Sequence, residues 1–259
     1  VTKVNSFGEL IDVRDNLRLP IMYYEVAKHQ KCHLYITNNK NLYLLTIKAV
    51  YMEENKYTEL VENIRSYTKK SVKQKRFEHS VRVAVLAREM CGMYGVSPEK
   101  GYIAGLAHDM CKDMDDSSLL ALASKDGQPV SDVEKSKPSL LHGRAASVML
   151  SEDFGISDKD IIQAVARHTL GGSSLCPLAK IIYSADKIEP GRPQSTDEYR
   201  RALLEKSLNA LTLSVLEENI RYLEENNKTV APVSLRFRES LKRDMAREAQ
   251  IALNMDGGN

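Results

Sequence analysis

The sequence predicts a mainly α-helical protein, with one large helical domain behind a short N-terminal segment of different character. Apolar residues recur at three- and four-residue spacing along most of the chain after Lys56, and Gly, Ser and Asp punctuate those runs where helices would stop and start. Composition agrees: 42% of the 259 residues are apolar, enough for a packed core.

Residues 1–56 form the first expected domain, and no motif assigns it a role. Cys32–Thr37 and Leu42–Ile47 are short apolar and β-branched runs around an Asn-rich turn, and they predict a β-hairpin. His29 and His33 are four apart, but two ligands do not make a structural metal site.

Residues 57–256 form the second expected domain. Helical periodicity marks Tyr57–Val72, Phe77–Tyr94, Lys100–Met110, Leu141–Phe154, Asp158–His168, Leu175–Ile188 and Ala202–Glu225. Ser97 and Pro98 give a helix start, and Ser157–Asp160 resembles a capping box. Gly95, Gly155 and the Gly171–Gly172 pair are expected stops. Asp115–Ser139 is polar, contains Gly127, Pro129 and Pro138, and reads as a short helix plus a loop.

Charge and cysteine usage narrow the function classes. A net charge of +2 lacks the basic excess of a nucleic-acid binder, though it leaves room for a local basic pocket. No run approaches the roughly 18 apolar residues of a membrane span, and no signal peptide is visible, so a cytoplasmic protein without a membrane partner is expected. The cysteines at 32, 91, 111 and 176 form no Cys-x-x-Cys pair and read as reduced thiols.

The chemistry-bearing pattern is the placement of the other four histidines. His79 lies on an amphipathic helix, His108 and Asp109 close the next, His142 opens another, His168 ends a fourth, and Asp186 follows the apolar Ile181–Ala185. Each sits beside apolar helix faces, where an unpaired polar group costs a few kcal/mol. A metal centre would explain all six at once, because a cation offsets the burial of its ligands. Neighbours on a helix diverge by about 100°, so a His-Asp pair converges on one centre most readily at a helix end. A carboxylate can bridge two ions, which a neutral imidazole cannot. Singly, a histidine at a helix end is more often a cap or a hydrogen-bonded core residue, and a lone Asp there is usually a solvated carboxylate, so none of the six carries the assignment alone.

The order His, His-Asp, His, His, Asp on successive helices resembles the HD-domain superfamily of metal-dependent phosphohydrolases. Arg76–Ala84, His168–Gly171 and Lys180–Arg192 are similar to its YqeK branch, over about Val72 to Leu241. The resemblance implies an HD-domain helical bundle and a symmetrical hydrolase that cuts diadenosine tetraphosphate to two ADP by a metal-activated water. It implies two divalent or mixed-valence metal ions, iron favoured, with manganese or zinc also suiting the donors. Their ligands would be His79, His108, Asp109 and Asp186 around one ion, with His142, His168 and the second oxygen of Asp109 around the other. Asp109 and Lys112 are the expected catalytic residues. Arg76, Lys112, His142, His168, Thr169, Asp186 and Arg192 are the expected substrate-binding residues, with Lys112 and Arg192 preferred for phosphate. Asp113 is a candidate to orient Lys112. The expected partners are a dinucleoside polyphosphate or other nucleotide and a second copy of the chain. An HD-family phosphohydrolase acting on another nucleotide is the nearest competing reading, and a nucleotide-sensing module without turnover is the competing class. One departure stands out: Ala231 and Ser234 occupy positions where the family carries His and Thr.

Overall fold

The computed structural model describes three short strands and residues 40–256. The chain divides into two compact units, Val1–Glu59 and Leu60–Asn259. In the first, Thr2–Val4 (β1), Leu10–Asp12 (β2) and Leu17–Leu19 (β3) form an antiparallel sheet in that order, with Lys3 opposite Ile11 and Ile11 opposite Arg18.

The hairpin expected around residues 38–41 is not supported. Its second run, Leu42–Ile47, lies inside a long helix, α1 (Lys40–Ser71). The run belongs to a longer pattern: Leu42, Leu45, Ala49 and Met52 repeat at three- and four-residue spacing, and no Gly or Pro interrupts residues 21–91. The first run, Cys32–Thr37, lies outside the described residues, as do His29 and His33.

Every regular element among the described residues of the second unit is helical. Its elements are α2 (Gln74–Met93), α3 (Pro98–Ala107), α4 (Asp116–Ser124), α5 (Asp132–Ser136), α6 (His142–Glu152) and α7 (Lys159–Arg167). They continue as α8 (Pro177–Ile188), α9 (Asp197–Leu204), α10 (Leu208–Glu225) and α11 (Pro232–Asp256). A 3-10 turn, Pro138–Leu141, leads into α6. Ser97 caps α3 by accepting from the Lys100 N–H, with Pro98 in the first turn. Gly95, Gly155 and Gly171 take φ of +70°, +66° and +75° where the chain leaves its helices.

Three local expectations change. Asp158, not Ser157, caps α7, because its carboxylate takes the N–H groups of both Asp160 and Ile161. The polar stretch 115–139 holds two helices, capped by Asp115 and by a Ser131/Glu134 capping box. The run 202–225 is broken, because the Ser207 hydroxyl takes the Ala210 N–H and begins α10 afresh.

Helix α8 lies at the centre, packed by α2, α3, α7 and α10, and Ile181, Ile182, Tyr183 and Ala185 are buried along it. Phe237 of α11 meets Tyr183 edge to face, with ring centroids 5.3 Å apart. The buried Lys180 ammonium donates to Asn209 Oδ1 (2.6 Å) and Asp244 Oδ2 (3.1 Å), tying α8 to α10 and α11. Helices α2 and α3 touch backbone to backbone. A Cβ on Gly105 would lie 2.6 Å from the Ala84 Cα, and one on Gly101 2.8 Å from the Ala87 carbonyl oxygen.

Candidate metal centre

The six residues singled out in the sequence converge on one buried locus. His79 comes from α2, His108 and Asp109 from the end of α3, His142 from the start of α6, His168 from the end of α7, and Asp186 from α8. The four histidines and Asp109 are at most 5% exposed. Gly143 permits the approach of α6 to α7: a Cβ there would sit 2.7 Å from the Val165 carbonyl oxygen and 2.8 Å from the His168 ring.

Helix ends orient three of the rings by the same device. His108 Nδ1 donates to Gly105 O (2.6 Å), His142 Nδ1 to Ser139 O (2.7 Å) and His168 Nδ1 to Val165 O (2.8 Å). Each ring reaches back three residues to a carbonyl in a terminal turn. His79 Nδ1 donates instead to the buried Glu189 carboxylate at 3.0 Å. A carbonyl oxygen can only accept, so a neutral imidazole here carries its hydrogen on Nδ1 and presents the Nε2 lone pair to the cluster.

The facing atoms fall into two sets around Asp109. Oδ2 lies 3.5 Å from His108 Nε2 and 3.8 Å from His79 Nε2, which is 3.0 Å from Asp186 Oδ1. Oδ1 lies 3.0 Å from His142 Nε2 and 3.7 Å from His168 Nε2. The Nε2 atoms of His79 and His108 are 3.3 Å apart, and those of His142 and His168 are 2.9 Å apart. Ligands about 2.1 Å from an ion stand about 3 Å apart at right angles, so these spacings fit metal-binding groups. Three overlapping groups each keep their donor atoms within 4.8 Å of one another: His79–His108–Asp109, His108–His168–Asp186 and Asp109–His142–His168. Converging lone pairs and two carboxylates in a buried place are what a cation compensates.

The electrostatics suit ligation. Burial works against an ionised Asp109, but its interactions with His108, His142 and His168 outweigh that burial, and the carboxyl falls well below its usual range. Asp186 behaves likewise: burial is opposed by the Lys187 ammonium and by His108 and His79. Burial pushes His168 down to about 3, so this ring is neutral at pH 7. Burial pushes His108 down, but Asp109 and Asp186 together pull it up on balance.

Cations ring the cluster. Arg76 donates to Asp109 Oδ2 (2.9 Å), and Arg192 donates to Asp186 through Nη2 to Oδ1 (2.7 Å) and through Nε to the main-chain oxygen (2.9 Å). Lys112 Nζ lies 3.2 and 3.3 Å from the two nitrogens of His142, and burial lowers its pKa. The Thr169 hydroxyl is 3.4 Å from His142 Nε2 and 3.3 Å from His168 Nε2. Beside the cluster opens a pocket of about 370 Å³, lined by Lys73, Lys75, Arg76, Arg82 and Arg192 among others.

Several residues take roles that the sequence did not disclose. Glu189 and Arg82 pair behind His79, and Lys187 donates to His168 O (3.1 Å) and Asp186 Oδ2 (3.3 Å). Arg82 lies one helical turn beyond His79, and Glu189 three residues beyond Asp186, so spacing was the available signal. Asp113 does not meet Lys112; it accepts the Lys73 N–H at 2.8 Å. Arg144 is a buried clamp that donates to Asp126, Glu134 and the Gln128 carbonyl, holding the loop between α4 and α5. Ser234 donates to Leu170 O (2.8 Å), in the turn after His168. Cys91 and Cys111 are buried free thiols raised to about 12 by that burial, and neither faces the cluster's six side chains as a ligand.

Residues 76–191 match the family described as HD domain. The chain is 30% identical over 160 residues to a symmetrical bis(5'-nucleosyl)-tetraphosphatase of Halalkalibacterium halodurans, a match spanning 62% of this chain and 85% of that protein. A protein of the same name from Staphylococcus aureus is 28% identical over 172 residues, spanning 66% of this chain and 88% of the relative. A Clostridium acetobutylicum crystal structure, described as a predicted HD superfamily hydrolase involved in NAD metabolism, superposes with a TM-score of 0.66 at 29% identity. That alignment covers 71% of this chain and 97% of the other. No helix among the described residues is long and apolar enough to cross a membrane.

Proposed function

The chain belongs to the HD-domain family, alongside the symmetrical bis(5'-nucleosyl)-tetraphosphatases, and from that premise we propose that it hydrolyses diadenosine tetraphosphate to two molecules of ADP at the His/Asp cluster. The observation that carries the reading is the division of Asp109: one oxygen faces His79 and His108, the other His142 and His168. Such an arrangement suits two ions sharing one carboxylate. His79, His108, Asp109 and Asp186 would hold one ion, and His142, His168 and Asp109 the other. Nitrogen and oxygen donors without sulfur suit iron, manganese or zinc, and the family resemblance favours iron.

Bound ions would supply a nucleophilic water at neutral pH and positive charge at the scissile phosphoanhydride. The protein's own groups do the rest. Arg76 and Arg192, each about one-third exposed at the side chain, stand at the rim where a polyphosphate arrives. Their guanidinium forks suit phosphate oxygens, and Lys112 adds a point charge beside His142. The Thr169 hydroxyl, 3.4 Å from His142 Nε2, can also donate to a phosphate oxygen. Cleavage at the central anhydride leaves a diphosphate on each product, so both halves need cationic neutralisation.

Product analysis tests the proposal. The protein is incubated with diadenosine tetraphosphate and manganous or ferrous ion, with and without chelator, and the products are separated by chromatography. ADP as sole product, abolished by chelator, is expected. ATP plus AMP would contradict the symmetrical cut, and absence of turnover with every metal would contradict the substrate.

A further inference from the structure

His79 differs from the other three histidines in what lies behind it. Those three donate from Nδ1 to main-chain carbonyls, which are neutral. His79 donates to the Glu189 carboxylate, which is 1% exposed. The same carboxylate accepts from Arg82 Nε (2.5 Å), from Arg82 Nη2 (3.3 Å) and from the Gly191 N–H (2.5 Å). Both oxygens are therefore used, and the buried charge is compensated.

The turn is shaped to keep this arrangement. A Cβ on Gly191 would fall 2.5 Å from the Arg82 Nε and Nη2 atoms, so any side chain there would push the guanidinium away from Glu189. One residue further, Arg192 holds Asp186. The segment Ile188–Arg192 thus supports one side of the cluster, whereas among the described residues no carboxylate stands behind His142 or His168: their Nδ1 atoms meet carbonyls, with the Lys112 ammonium also 3.2 Å from His142 Nδ1.

We propose that Glu189 is a positioning residue that makes the two halves of the cluster unequal, so that a cation on the His79–His108–Asp109–Asp186 side binds more tightly than one on the His142–His168 side. The inference rests on the two-ion reading above. An imidazole that donates to a carboxylate is a stronger base toward a metal than one that donates to a carbonyl, and its tautomer and orientation are fixed. Removing such a partner typically costs 10- to 100-fold in metal affinity. Arg82 and the Gly191 N–H act through Glu189 by fixing its carboxylate.

The test is calorimetric titration of the metal-free 259-residue chain with manganous ion, for wild type, Glu189→Gln and Gly191→Ala. Wild type is expected to show two unequal binding steps. In Glu189→Gln the tighter step weakens about 10- to 100-fold while the weaker one stays in place. Gly191→Ala, which keeps the carboxylate but displaces Arg82, weakens the same step by less, and it decides the matter if the Gln variant fails to fold. Two equal steps in wild type, or variants that weaken both steps alike or neither, would overturn the role of Glu189 while leaving the two-ion reading intact. A wild type that takes up no manganous ion would overturn both. A merely structural role would lower the melting temperature without selectively weakening the tighter step.

Discussion

Three of the four histidines are committed by one hydrogen bond on the far side of the ring, made to a carbonyl three residues back. That lock was partly legible in the sequence. A histidine at the end of an apolar helical run has a carbonyl within reach and a core to face, and His108, His142 and His168 all stand at such ends. Asp109 and Asp186 were legible for the same reason. Glu189, Arg82 and Lys187 were not, because their importance depends on partners far away in sequence: the Arg82–Glu189 pair is separated by 107 positions. A charged residue looks the same in a sequence whether it meets solvent or the back of a ligand. Lys112 is where metal binding and substrate binding should separate. Its ammonium adjoins His142 and donates to no carboxylate of the cluster. Lys112→Met is expected to lower kcat/KM about 100- to 1,000-fold, the scale for losing one donor to developing charge, with metal content unchanged. Steady-state kinetics beside metal analysis checks this, and a parallel loss of metal would assign Lys112 to the ion site instead.

Helix identity and most boundaries were legible because periodicity and capping chemistry agree along the second unit, from Ser97 and Pro98 to the glycine stops. The failure at Leu42–Ile47 came from reading a short apolar run by itself, where strand and helix look alike. Missing, too, was the reason for two glycines inside α3. Gly101 and Gly105 sit on the face that meets α2, four residues apart, and they let His79 and His108 bring their rings within 5.2 Å. Gly105→Ala sets two effects against each other. Alanine gains about 1 kcal/mol of helix propensity, but its Cβ meets the rigid backbone of Ala84 at 2.6 Å. Backbone cannot swing aside as a side chain can, and overpacking costs about 1–3 kcal/mol. The clash is expected to win, with a net lower melting temperature and weaker metal binding from the parted helices. Thermal unfolding measures it, and a raised melting temperature would show that the helices part without cost.

At the scale of the molecule, a chain of net charge +2 gathers Lys73, Lys75, Arg76, Arg82 and Arg192 around one pocket. Near-neutral composition argues against a general nucleic-acid surface and is compatible with this local concentration of cations. The six-residue cluster lies within the helical unit Leu60–Asn259 and draws on five of its helices, so the fold and the cluster form one design. Asp109 stands at its centre, the one side chain whose two oxygens face different pairs of histidines. The most direct test is the number of metal ions per chain, measured by elemental analysis after reconstitution with manganous ion and removal of excess. The account predicts two ions in wild type and fewer than one in Asp109→Ala, with helical content retained by circular dichroism. A wild type that holds a single ion, or an Asp109→Ala protein that still holds two, would contradict it.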